Sequence, residues 1–142
     1  MLSVLFLPLW SKLDPLSNQE LVLTATKLTY AHADAGMSVP TPTYLIAVLA
    51  VASAAVALFE ISQFRNRFMQ LKLGILNFLL IVATIGATFY FSGVGEKMLN
   101  VKIPGTFEAG FYLPTLALML NLLANRFIRR DEQLVRSMDR LR

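Results

Sequence analysis

The stretch LKLGILNFLLIVATIGATFYF, Leu71 to Phe91, decides the fold, because it is long enough to cross a bilayer as a helix and holds one charge, Lys72, at its edge. An α-helix rises 1.5 Å per residue, so a hydrocarbon core about 30 Å thick needs roughly 20 residues. Ala109 to Ile128 meets that length, and Pro42 to Phe59 meets it by drawing in Ile61 and Ser62. Over 142 residues the chain is 56% hydrophobic and 15% charged, outside the soluble range and with room for one compact bundle. The expected fold is an all-α integral membrane protein. It is an antiparallel bundle of three complete transmembrane helices plus a truncated or partial first helix, with a basic cytoplasmic C-terminal helix.

Charge placement orients the bundle. Arg65, Arg67 and Lys72 lie between the first two complete spans, and Arg126, Arg129, Arg130, Arg136, Arg140 and Arg142 follow the third. The opposite-side segments hold only Lys12, Lys27, Lys97 and Lys102, against Asp14, Glu20, Asp34, Glu96 and Glu108. Positive-inside bias therefore puts the Arg65 loop and the C-terminus in the cytoplasm. The single domain divides into a partial span (1–10), an outer segment (11–41), a span (42–62), a cytoplasmic loop (63–70), a span (71–91), an outer loop (92–108), a span (109–128) and a cytoplasmic tail (129–142). The net charge of +4 is a topology signal, since the basic residues flank spans and form no soluble nucleic-acid face.

Met1 to Trp10 reads as membrane sequence, but ten helical residues reach only about 15 Å. A signal peptide is disfavoured, because no basic n-region or small-residue cleavage pattern precedes Lys12. The expectation is a first helix whose beginning is missing, completed upstream of Met1 by about ten apolar residues and some positive charge. An in-frame stop directly before Met1 contradicts it.

The segment Phe64 to Leu73 followed by Asn77, and the ending Leu120 to Arg142 with its interleaved arginine and acid, carry the most specific pattern. In these residues the chain resembles an uncharacterised family of four-helix membrane proteins from Bacteroidetes, the domain of unknown function 4293 family. The resemblance runs the whole length and implies a complete first helix with polar and basic residues at its start. It implies no activity.

Between the spans, Ser17 with Glu20 fits a capping box, yet Leu21 to Tyr30 is rich in β-branched and aromatic residues and partly alternates, which reads as strand over helix. Met98 to Ile103, closed by Pro104 and Gly105, is a second extended candidate on the same side, so a small outer hairpin or sheet is expected, with two unstructured loops as the alternative. Thr41 and Pro42 fit an N-cap and first helical position. Pro114 falls where it starts the last regular helix or kinks it. Ala50 with Ala54, Ser53 with Ala57, and Ala83 with Ala87 are small pairs four apart that let helix backbones approach.

Asn77, Asn121 and Asn125 are the most polar side chains inside the spans and form a candidate intramembrane polar face, Asn121 and Asn125 lying one turn apart. Gluing helices is their ordinary role, and lining a substrate or ion path is the sharper one. Thr84 and Thr88 share that ambiguity. Glu60 lies at the cytoplasmic edge of its span, close enough to Arg65 or Lys72 for an ion pair, and that reading outranks proton coupling. His32 with Asp34 is a weak metal signal better read as a solvated loop. With no cysteine, no phosphate loop, no His-Glu-x-x-His, no Gly-x-Ser-x-Gly and no intramembrane acid pair, no catalytic, cofactor or metal site is expected. The arginines from Arg126 to Arg142 are candidates for contact with anionic headgroups or a protein partner, or for topological anchoring alone. The chain is thus expected to be a non-enzymatic accessory or scaffold subunit of a membrane complex. The alternative is a small oligomeric transporter or channel with the asparagines along its path. A membrane-protein partner or a homo-oligomer fits, and nucleic acid does not.

Overall fold

In the computed structural model, residues 1–15, 19–30, 41–63, 65–98 and 102–139 are described. Ser17, His32, Asp34, Arg140, Arg142 and the side chain of Arg136 lie outside that description, as do the readings placed on them. Three helices are long and apolar enough to cross a membrane: α1 (Tyr44–Ser62), α2 (Arg67–Met98) and α3 (Ala109–Asp139). At 32 residues α2 is roughly 48 Å long, well over what a ~30 Å core requires. α2 is the central helix, packed by α1 on one side and α3 on the other, and α1 and α3 form no comparable interface with each other.

The all-α expectation is corrected by a five-stranded antiparallel sheet. The strands are β1 (Trp10–Asp14), β2 (Gln19–Leu23), β3 (Lys27–Tyr30), β4 (Thr41–Pro42) and β5 (Thr106–Phe107), ordered β4-β3-β2-β1-β5. Leu21 to Tyr30 is mostly strand, as its composition suggests. The apolar N-terminus makes only one 3-10 turn, Leu2–Leu5, before Pro8 and β1. β1 alternates strictly, with Trp10, Lys12 and Asp14 on the buried face and Ser11 and Leu13 turned away. A lysine and an aspartate on the inner face hide that period from a hydrophobicity reading. Met98 still belongs to α2 and the short strand falls at Thr106–Phe107, after Pro104 and Gly105 rather than before them.

The sheet lies across one end of the bundle, called here the sheet end. Trp10 is buried with Leu9, Leu21, Leu23, Leu28, Ile46 and Val4 in one cluster. A tryptophan buries 150 Å² or more, so at 25 cal/mol per Å² its docking contributes about 4 kcal/mol where water is the alternative. Gly95 of α2 and Gly105 make this possible, because a Cβ at either would meet the Trp10 ring. Lys12 extends from β1 to the end of α2, where its Nζ donates to the Glu96 carbonyl at 3.0 Å and lies 3.6 Å from Glu96 Oε1. The same carboxylate accepts from the Gly105 N–H at 3.2 Å, and Ser11 Oγ donates to Glu108 Oε1 at 2.7 Å.

Thr41 and Pro42 are strand, and the N-cap of α1 is Thr43. Its hydroxyl donates to the Thr24 carbonyl at 3.0 Å, and the Ala47 N–H donates to Ala25, so the β2–β3 turn accepts what a capping side chain leaves open. Pro114 sits inside α3, which is helical from Ala109. Inside the spans the order of a water-soluble core is reversed. Ser53, Asn77, Thr84 and Thr88 are buried, whereas Val48, Leu58, Leu79, Val82, Leu116 and Met119 face outward. Hydrocarbon tails solvate leucine as well as protein does, so helices join there through small and polar contacts.

Candidate functional site: a polar cleft between α1 and α3

Because α1 and α3 both lean on α2 and not on each other, a cleft runs between them. The N-terminal turn packs against both helices and fills the sheet end of the gap. Beyond Met1 the gap continues as a cavity of 360 Å³ toward the far end. Ser53, Ala57 and Glu60 line it from α1, Gln70 and Asn77 from α2, and Ala117, Asn121 and Ala124 from α3.

Each polar group is placed by helical spacing. Ser53, Ala57 and Glu60 recur at four and three residues, which keeps them on one stripe of α1. Ser53 Oγ donates to Asn77 Oδ1 at 2.7 Å in a buried hydrogen bond joining α1 to α2. Glu60 is buried, and Gln70 Nε2 donates to its backbone carbonyl at 3.3 Å. Its carboxylate makes no ion pair with Arg65 or Lys72 among the described residues, and Lys72 instead lies 4.5 Å above the Phe68 ring. The expected boundary ion pair is therefore replaced by an acid facing the cleft. The signal available in the sequence was the Ser53, Ala57, Glu60 spacing, which sets Glu60 on the small-residue face of α1.

Of the three asparagines, Asn77 and Asn121 are buried together along the cleft. Asn125 leaves it: its Nδ2 donates to the Asn121 carbonyl and to Asn121 Oδ1, both at 3.1 Å, while its own Oδ1 is buried without a partner. It packs where Gly74 of α2 has no side chain, and a Cβ at Gly74 would overlap the amide. Thr84 and Thr88 return their hydroxyls to the carbonyls of Leu80 and Thr84 and offer nothing to the cleft. No group of three or more metal-ligating side chains occurs among the described residues.

The model of a domain of unknown function, DUF4293, matches residues 1–141. The chain belongs to that family. No curated protein and no solved structure matches it. In this DUF4293 chain a second depression, of 640 Å³, opens between α2 and α3 on the other side of the bundle. Ile75, Phe78 and Leu122 line one part of it, and Arg126, Arg129, Arg130 and Gln133 the other. Chemically, the DUF4293 bundle presents a small cavity in which Glu60, Gln70, Asn77 and Asn121 alternate with the apolar Ile61, Ile81, Leu120 and Ile128, and a cationic groove on α3.

Proposed function

We propose that the protein is a non-enzymatic subunit of a membrane complex, and that the cleft between α1 and α3 seats a transmembrane helix of that complex. The observation that carries this reading is the cleft lining. Glu60, Asn77, Asn121 and Gln70 face a gap that opens sideways, where the alternative to a protein partner is hydrocarbon. Asn77 Oδ1 and Asn121 Oδ1 already accept within the bundle, so what an incoming helix with Ser, Thr or Asn adds is partners for the Glu60 carboxyl and the Asn77 and Asn121 amide N–H groups, each costly to leave in hydrocarbon. Ala57, Ala117 and Ala124 keep the walls low enough for close backbone approach.

The positive-inside pattern supports a bacterial inner-membrane protein with the far end and the C-terminus in the cytoplasm and the sheet outside. A C-terminal reporter active only outside overturns that orientation. The absence of cysteine makes the seat directly testable, because single cysteines at Ala57 and Ala117 crosslink only what lies between α1 and α3. The reading expects one polypeptide, stoichiometric and the same from both positions, in native membranes. Capture of this chain alone overturns it. A transporter is the second reading, favoured by the convergence of Glu60, Asn77 and Asn121 on one cavity, and it predicts solute flux by the purified protein in liposomes.

A further inference from the structure

Arg126, Arg129 and Arg130 stand at i, i+3 and i+4 on α3, on one flank of the helix. Glu132 shares an adjoining depression with Arg129, Phe68 and Leu71, and Asp131 lies with Arg67 and Gln70. The groove before the arginines is built from α2 and α3 together, with Ile75 and Leu122 half exposed and Phe78 between them. Arg126 lies ~26 Å along the axis from Ala109, and Arg129 and Arg130 a turn further, so the guanidinium groups sit where a ~30 Å core gives way to headgroups.

We propose that this groove is a binding site for one anionic phospholipid, its phosphate on Arg126, Arg129 and Arg130 and an acyl chain along Ile75, Phe78 and Leu122. The reasons are charge and level. Planar guanidinium forks match phosphate oxygens, and three of them share a groove whose other half is apolar and faces the bilayer. The volume of 640 Å³ falls within the roughly 300–1,000 Å³ of small-molecule sites. An acidic soluble peptide would satisfy the arginines but would leave Ile75, Phe78 and Leu122 facing lipid, so a lipid is the occupant that uses both halves.

The test uses the full chain in phosphatidylcholine vesicles doped with phosphatidylglycerol, extracted in mild detergent, with retained lipid quantified by mass spectrometry. The wild type should enrich phosphatidylglycerol over phosphatidylcholine. Replacing Arg126, Arg129 and Arg130 together by Gln should cut that enrichment roughly a hundredfold, at about fivefold per basic residue near a headgroup surface. The triple variant Arg65→Gln, Arg67→Gln, Lys72→Gln removes the same formal charge at the same end and should retain the enrichment to within a fewfold. Leu122→Trp, at a lipid-facing position, should lower retention of both the headgroup and its chains without changing charge. Equal losses in the two charge variants would reduce the effect to diffuse surface attraction and overturn the site. Displacement of the lipid by inorganic phosphate alone would assign the arginines to a free anion and overturn it as well.

Discussion

Removing the carboxylate of Glu96 should uncouple the sheet from the helices, and removing the ammonium it faces should not. Lys12 is fully buried and held by the Glu96 carbonyl at 3.0 Å and the Glu96 carboxylate at 3.6 Å, whereas the Glu96 side chain keeps 32% of its exposure. Glu96→Ala leaves a buried cation with one neutral acceptor and takes from the Gly105 N–H its bond to the same carboxylate. Deleting one partner of a buried pair costs about 3–5 kcal/mol, and the partial exposure of Glu96 places this case near 3. Lys12→Met removes the charge that needs compensation, and Glu96 then turns to water while still accepting from Gly105, so the cost should stay below about 1.5 kcal/mol. Trp10 is the single tryptophan and sits in the same contact, so urea titration in nanodiscs followed by its fluorescence reads sheet docking directly. Near 3 kcal/mol, Glu96→Ala shifts the docking equilibrium by about a hundredfold. An equal or larger loss from Lys12→Met would refute the argument that an uncompensated charge, rather than lost packing, sets the effect.

Gly95→Ala should push the Trp10 ring off its seat, at about 1–3 kcal/mol, and shift the same fluorescence transition. Gly74→Ala should separate α2 from α3 through the clash with Asn125, and Asn125→Ala in the same chain should recover most of the loss in a double-mutant cycle of unfolding. Ser53→Ala should cost only about 0.6 kcal/mol, the average for a hydrogen bond between membrane helices, in detergent unfolding that compares it with Asn77→Leu.

The three spans were legible because length and hydropathy are local properties. Their extents were less so: α2 runs on to Met98 because Gly95 and Glu96 are needed by the sheet, and that demand comes from Trp10 and Lys12, more than eighty positions away. β1 was missed for the same reason. Its buried face carries Trp10, Lys12 and Asp14, and a lysine looks solvent-facing until its partner on α2 is known. Leu2 to Leu9 reads as half a span, since the apolar side chains that fill the sheet end of the bundle are the same types that face lipid. In the candidate site, Asn77 and Asn121 were legible as polar residues in apolar spans. Asn125 parted from them because Gly74 opened a slot on the other side of α3. The arginines were visible as charge, but the groove they rim depends on Ile75 and Phe78 of a neighbouring helix, which one-dimensional spacing does not bring together.

The central claim, that a helix occupies the α1–α3 cleft, is tested most directly by the lipid accessibility of spin labels in native membranes. Single labels at Ala57 and Ala117 should show oxygen accessibility as low as a label at buried Ala50, and should rise toward that of outward-facing Leu58 when the protein is purified alone. Accessibility at Ala57 and Ala117 equal to that of Leu58 in the native membrane would mean that lipid fills the cleft, and would contradict the account.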